Sequence, residues 1–580
     1  MDTTIARRSV TGDWASFADQ VPGAVGAGQT RAHVARANRV RSSGTSRPAD
    51  TAQIVNLFQY PGLITLGRTL EDFEASERGP QGRKAHYPLR VLLAVAASSR
   101  VTGSLASAIT ALSYGDTWQR CLAAYARLPG AEPVTHVPPT REHVNYLRSK
   151  ITGREGLLDA LKDTFTDVAV RQARRFGNLS IDQEPDWTQV DVRHVIEGDG
   201  TIVKPFSGVR EVINPLTKEP MIIGSRAQTP KNAKIQREVR VMGVDGKAVV
   251  GINFVSFRTL TVFGQVVLAV GAEFGSEQWT ALRLIDQIVA RAGDGVHTVV
   301  YDGALTGWHV DYLMAAHRIQ VLGKVAASSG PEAVRARAAL EERVASLAGE
   351  RGADLRHDYV SRVLRYDILA RLFAGERPLP VGTSLYPRAH SRADQPKFEV
   401  SYGHFEFLSA QHVTRGGQVC THDLVMDDGA LFVCEFDVVN EAVVKGAYLR
   451  CTTARAVLAP GGTFGREMTY QVPCEHGSFT YTNLWHPQAR RFHRSDKEGD
   501  RAPVDPIGWR LRPVPQVDRE RYGAVETPRN ASESFNAWFK RSLPGKSRTR
   551  AASITAAGQE LDFLLAALVN NSNTWASSRG

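Results

Sequence analysis

Between about residue 190 and residue 325 the hydrophobic period of the chain switches repeatedly, and this limits the fold more than any other feature. Val192 to Ile196 reads as a short strand, interrupted by Arg193 and His194, leading into Glu197-Gly-Asp-Gly-Thr201. Glu238 to Val244 and Lys247 to Val255 flank Asp245-Gly246, a pair suited to a hairpin turn. A further strand is predicted over Thr261 to Val270. Ser276 to Ala292 places Trp279, Leu282, Leu284, Ile285 and Ile288 at helical spacing. Thr298-Val-Val-Tyr301 reads as a short buried strand ending at Asp302, followed by a helix over Thr306 to Ala316 and a strand over Ile319 to Val325. Consecutive strands followed by alternating helices and strands predict an α/β arrangement.

The segments on either side behave differently. Residues 1–50 form a basic arm, with Arg31, Arg36, Arg39, Arg41 and Arg47 among few large apolar residues. Residues 51–185 are predicted to be a helical domain, suited to binding DNA ends or to dimerisation. Leu89, Val91, Leu92, Leu93 and Val95 supply a core run, and Thr140 is placed to cap a helix carrying Val144, Leu147 and Ile151. Another helix is predicted over Leu157 to Arg175. Residues 186–330 form the first part of the α/β core, and residues 331–525 an insertion that is helical to Leu372 and then β-rich. Within the insertion, Arg490 to Tyr522 is Arg- and Pro-rich and reads as a linker or an extended wrap. Residues 526–580 complete the core, with Thr527 and Pro528 opening a helix to about Leu543 and a final helix ending near Asn570-Asn571.

Composition narrows the classes. The 580 residues suit several domains, and 42% hydrophobic with 23% charged residues is ordinary for a folded protein. The net charge of +11 favours a polyanionic partner. The most apolar run, Val91 to Ala97, is cut by Ser98, Ser99 and Arg100, so no membrane span is predicted. Met1-Asp-Thr-Thr carries no apolar signal core, and five cysteines do not make a disulfide framework. A cytoplasmic, nucleoid-associated protein is the expectation.

Three acidic residues stand where metal-dependent phosphodiester chemistry needs them. Asp199 follows the first predicted core strand, and Asp302 ends a nearly wholly apolar one. An Asp-Gly turn is the competing reading for each, as at Asp245, but Asp302 precedes a helix rather than a returning strand. Glu533 is the third. At 3.6 residues per turn, Arg529, Glu533, Asn536 and Lys540 share one polar stripe of a helix, while Phe535, Trp538 and Phe539 lie on another face. An Arg529–Glu533 ion pair on a solvated face is the ordinary alternative. Carboxylates from distant segments can grip two hard cations, Mg²⁺ or Mn²⁺, about 4 Å apart.

The order of elements is close to that of an RNase H-like fold, and the chain resembles bacterial insertion-sequence transposases of the DDE type. The matches are Glu197-Gly-Asp199-Gly-Thr, Val299-Val-Tyr-Asp302-Gly and Arg529-x3-Glu533-x6-Lys540, the last similar to a Tyr-x2-Arg-x3-Glu-x6-Lys signature. Gln559 and Asn570-Asn571 after a leucine-rich helix also resemble that group's C-terminal end. Glu526 stands where the signature has tyrosine and remains a rival third acid. The resemblance covers roughly residues 80–330 and 525–575. It implies a multidomain α/β protein with an N-terminal helical domain and an RNase H-like catalytic core interrupted by the β-rich insertion. It further implies Asp199, Asp302 and Glu533 as ligands of two metal ions, with Arg529 and Lys540 on DNA phosphate. The activity implied is cleavage at the terminal inverted repeats of a mobile element and transfer of the 3′-OH strands to target DNA, by a homodimer in a paired-end complex. An RNase H-like nuclease that cuts without joining and a non-catalytic, transposase-derived DNA-binding protein are the alternatives.

Other clusters carry less. Lys231, Lys234, Arg237 and Arg240 form a basic run, either a solvated loop or a DNA-facing surface, and Asn536 is grouped with the DNA-binding residues. Cys420-x-His422, Cys434, Cys451 and Cys474-x-His476 supply enough ligands for zinc, but their spacings are wide and no CxxC knuckle is present. Small buried hydrophobes are the ordinary reading for such cysteines. No Gly-x-Gly follows a strand and opens a helix, which argues against a nucleotide-binding loop.

Overall fold

The computed structural model describes residues 48–77, 86–181, 184–203, 210–213, 220–223, 252–261, 264–272, 277–301, 304–323 (306 apart), 331–348, 362–387, 398–438 (404 apart), 442–486 (460–461 apart), 510–529, 532–543, 553 and 555–579. Among the described residues seven helices come first: α1 (Pro48–Phe58), α2 (Gly62–Glu77), α3 (Leu89–Thr102), α4 (Leu105–Ser113), α5 (Thr117–Tyr125), α6 (Arg141–Gly153) and α7 (Leu157–Arg175). Then come β1 (Val195–Val203), β2 (Arg210–Ile213), β3 (Pro220–Ile223), β4 (Ile252–Thr259), β5 (Val267–Ala272) and α8 (Glu277–Ala292). They are followed by β6 (Thr298–Val300), α9 (Trp308–His317), β7 (Gln320–Leu322), α10 (Pro331–Ala348) and α11 (Arg362–Phe373). The β-rich part holds β8 (Thr383–Pro387), β9 (Phe398–Tyr402), β10 (Phe405–Val413), β11 (Val419–Asp427), β12 (Ala430–Asp437), β13 (Ala442–Leu449), β14 (Cys451–Leu458), β15 (Phe464–Val472) and β16 (Phe479–Trp485). Three helices close the chain: α12 (Arg519–Arg529), α13 (Ser532–Ser542) and α14 (Ala556–Ser577). The protein is thus a mixed α/β, multidomain chain. Strands β5, β4 and β1 are hydrogen-bonded in that order, and β6 pairs with β7.

The chain divides into two compact units, the first from Met1–Ile181, Ile196–Gly295 and Pro528–Gly580, the second from Asp182–Val195 and Val296–Thr527. In the first, α3 is buried along its whole length, including Ser98, Ser99 and Arg100. Gly103, at φ +85°, ends α3 in the left-handed conformation that favours glycine, and the Ser104 hydroxyl accepts from the Ser107 N–H to start α4. Arg100 is tolerated inside because Asp562 of α14 lies 3.9 Å away, and Arg148 of α6 reaches the same carboxylate at 2.8 Å. Strands β1, β4 and β5 are antiparallel neighbours. α14 also closes the outer side of β5: Asn571 donates to the Val267 carbonyl and accepts from the Val267 N–H, both at 2.8 Å. A side-chain amide there satisfies backbone groups that an edge strand would leave open.

In the second unit β6 and β7 are parallel and linked through α9, a crossover of the βαβ kind. The rings of His194 and His297 stack with centroids 4.2 Å apart. Strands β10 to β13 form a four-stranded antiparallel sheet and β14 to β16 a three-stranded one, with Met426, Leu431, Met468, Tyr470 and Trp485 in their shared core. Asp428 and Gly429 have φ of +50° and +83° between β11 and β12, the backbone of a tight hairpin turn.

Several expected boundaries shift. The strand predicted at Val192 opens instead with a single 3₁₀ turn, Val192–His194, and β1 then continues to Val203. The strand predicted over Thr261 to Val270 is confined to β5, and the final helix runs past Asn571 to Ser577 because Asn571 and Asn573 are buried rather than terminal. The arm at 1–47, the Asp245-Gly246 turn, the basic run 231–240 and most of the linker lie outside the described residues. Arg519 to Tyr522, the linker's end, begins α12. No single described helix is long and apolar enough to cross a membrane.

Candidate functional site around Asp199

Asp199 lies within β1, opposite Ser256 of β4, and not past the strand's end as the sequence predicts. Alternation along a strand sends Glu197, Asp199 and Thr201 to one face. On β4 that face carries Arg258, Ser256 and Phe254, the register partners of those three residues. The Phe254 ring meets Phe563 of α14 at 5.0 Å and Phe539 of α13 at 6.2 Å. Phe539 and Phe535 in turn pack on Phe563 at 4.7 and 5.8 Å. This aromatic cluster holds α13 over the Asp199 face, and each buried phenyl ring contributes roughly 1.5–3 kcal/mol.

The same arrangement fixes the polar stripe of α13. Asn536, 5% exposed, donates from Nδ2 to Asp199 Oδ2 at 2.6 Å. Its Oδ1 is buried and has no hydrogen-bond partner among the described residues. Lys540 is half-buried on the same stripe. Burial holds its ammonium below the ordinary lysine pKa, and the Asp199 charge offsets only part of that. Position 533 precedes Asn536 by three residues and Lys540 by seven. At ~100° per residue it falls within about 60° of both along the helix. Structure therefore brings Asp199, Asn536 and Lys540 together, with Glu533 in the first turn of the same helix, α13.

Other expected residues fall elsewhere. Of the helix expected from Pro528 to Leu543, Arg529 is described as the last residue of α12 and Glu533 as part of α13, while residues 530–531 lie outside the described residues. Residues 519–529 continue a helix begun upstream, so Pro528 does not open one. Glu526 also belongs to α12. Asp302, two positions past the end of β6, lies outside the described residues, as do Lys231, Lys234 and Arg237. Among the described residues, Asp199 is not part of any cluster of three His, Cys, Asp or Glu ligands.

Two features of this region were missed by sequence reasoning. Glu197 and Arg258 form a buried ion pair, 1% and 4% exposed, with Arg258 Nη2 at 3.1 Å and Nε at 3.3 Å from Glu197 Oε2. Burial pulls the guanidinium pKa down, opposed by the carboxylates of Glu197 and Asp199. Arg258 thus neutralises one acid of the motif and stands near the other. On the opposite face, Gly200 leaves room for Glu277 at the start of α8: a Cβ there would come within 2.4 Å of Glu277 Oε1. The Asp199-Gly200 pair is therefore no turn. Its glycine admits a carboxylate to the back of the strand, and only the register of α8 reveals this.

Chemically, the Asp199 carboxylate and the unpartnered Asn536 Oδ1 are hard oxygen donors that fit Mg²⁺ or Mn²⁺ better than a softer ion. Compared with protein-family models, with the curated proteins and with the solved structures, the chain gives no match.

Proposed function

We propose that the chain is a DDE-type transposase that cuts DNA at the ends of a mobile element and joins the freed 3′-OH strands to target DNA. The observation that carries this reading is the Asn536–Asp199 hydrogen bond, which links two motifs 337 residues apart in sequence. The chain order β4, β5, α8, β6, α9, β7 after β1 supports it, since an RNase H-like core is expected to run three strands, a helix, a strand, a helix and a strand.

In this reading Asp199, Asp302 and Glu533 would hold two Mg²⁺ or Mn²⁺ ions, which supply Lewis-acid charge and an activated oxygen nucleophile. The chain's own groups do the rest. Asn536 fixes one carboxylate oxygen of Asp199 and so orients the other. The Glu197–Arg258 pair buries a compensated charge behind it. Lys540 supplies positive charge beside Asp199, where a scissile phosphate would lie, and Arg529 is assigned to phosphate further along the DNA. The net charge of +11 favours double-stranded DNA as the partner. The homodimer and the paired-end complex belong to the same proposal.

The test is cleavage of a supercoiled plasmid carrying the inverted repeats that flank the gene, with and without Mg²⁺. Asp302→Asn and Glu533→Gln should each keep end binding and lose cleavage by on the order of 10³-fold. A Glu533→Gln variant that cuts at the wild-type rate would remove the third ligand. Cleavage with no joined product identifies a nuclease instead, and end binding by a wild type that never cuts identifies a DNA-binding protein.

A further inference from the structure

The insertion carries a second, independent cluster, built from sulfur and nitrogen rather than oxygen. In the β10–β11 hairpin His412 and Cys420 are direct cross-strand partners, so their side chains share one face. The turn between β15 and β16 brings Cys474 and His476 to the same place. The Sγ atoms of Cys420 and Cys474 and a ring nitrogen of His412 all lie within 4.8 Å of one another. His476 Nδ1 stands 3.4 Å from Cys420 Sγ and 3.9 Å from Cys474 Sγ. Tetrahedral zinc, with bonds of about 2.3 Å to sulfur and about 2.0 Å to nitrogen, sets its ligand atoms roughly 3.5–3.8 Å apart. These two edges bracket that span, and His476 joins the group through the two sulfurs, outside the three residues whose ligand atoms all lie within 4.8 Å of one another.

The surroundings also suit a bound ion. The His412 ring is stacked on Phe479 at 4.1 Å, which fixes its direction, and its Nδ1 is buried with no hydrogen-bond partner among the described residues. Both cysteines are free thiols, and they line an open pocket with Gln418 and Pro473. By contrast, Cys451 is buried in the β core and Cys434 stands apart from the cluster, so the small-hydrophobe reading holds for Cys451 but not for Cys420 and Cys474.

We propose that Cys420, Cys474, His412 and His476 form a Cys₂His₂ site for a structural zinc ion that ties the β10–β11 hairpin to the β15–β16 turn. Four protein ligands leave no open position, so the ion holds structure and does no chemistry. Binding exchanges the two thiol protons for one Zn²⁺, releasing two H⁺. The site draws only on the insertion and does not depend on the reading of Asp199.

The test uses the full chain purified under reducing conditions and measures zinc content, then Co²⁺ absorption after chelation. One zinc per chain is expected, together with thiolate-to-cobalt charge transfer and the strong visible bands of a tetrahedral ion. Cys420→Ser and Cys474→Ser should each weaken zinc binding by on the order of 100-fold or more, beyond what loss of a supporting hydrogen bond costs. Cys434→Ser should leave it unchanged. Should the two cysteine variants fail to fold, His476→Ala on the exposed turn keeps the test open, with weaker binding and an altered cobalt spectrum expected. A chain that takes up no zinc, a cobalt spectrum indifferent to His476→Ala, or thiol counting that shows a Cys420–Cys474 disulfide in the native protein would each overturn the proposal.

Discussion

The two units solve the problem of holding polar groups in opposite ways. In the first, the polar links join segments far apart in the chain: Asn536 to Asp199 across 337 residues, Arg148 to Asp562 across 414 and Lys162 to Glu560 across 398. In the β-rich part of the second, most structure is local. Strands β10 to β16 pair with their sequence neighbours, and the buried acids Asp427 and Asp428 sit at one hairpin turn, where Lys445 reaches Asp427 at 3.1 Å. A site made of distant segments exists only once the whole unit has closed, because loop closure must precede its contacts. Local hairpins position their side chains early, and a bridging ion is then needed only between one hairpin tip and another.

The sharpest way to break this contrast is to unpair the charge behind Asp199. Arg258→Met leaves the Glu197 carboxylate buried without its guanidinium and should cost about 3–5 kcal/mol in urea denaturation. Adding Glu197→Gln should recover much of that loss. If Arg258→Met alone is as stable as the wild type, long-range pairing is not what holds this unit.

A somewhat smaller effect is expected at the local turn. Burial pushes the Asp428 carboxyl up to about 6 from its usual 3.8, while hydrogen bonds from Tyr386 and Ser401 pull the other way. An acid with a raised folded pKa binds more protons folded than unfolded between roughly pH 4 and 6. Its contribution is therefore most favourable below pH 4, falls as pH rises, and has been lost above about pH 6. Asp428→Asn, which tolerates the φ of +50°, should abolish that fall and stabilise the protein near pH 7 by on the order of 3 kcal/mol. A thermal melt whose midpoint tracks pH identically in both proteins would contradict this.

The smallest expected effect sharpens the first half of the comparison. Asn571→Ala removes both bonds to the Val267 backbone and leaves that N–H and carbonyl unsatisfied, at about 1–3 kcal/mol. Hydrogen exchange at Val267 should quicken with it. Unchanged protection there would mean that α14 is not what seals β5.

Much of the framework could be read in advance. The Leu157 to Arg175 helix appears with the same ends because its apolar spacing is uninterrupted and Gly156 precedes it. The helix over Arg141–Gly153 begins after Thr140 and buries Val144, Leu147 and Ile151, as the spacing predicts. Where reading failed, the cause was non-local. Gly200 looks like a turn residue because nothing nearby in sequence announces Glu277. His412 escaped notice because its partner Cys474 lies on a different hairpin.

The sequence by itself determined which residue types were on hand and on which face of which element each would lie, since helical and strand periods are local properties of the backbone. Only the tertiary structure decided which faces met. Packing of Phe254, Phe535, Phe539 and Phe563 turned Asn536 and Lys540 toward Asp199, and the meeting of two hairpin ends gathered thiols and imidazoles. Both outcomes depend on burial of apolar surface contributed by distant parts of the chain, a cooperative effect that no short window of sequence contains.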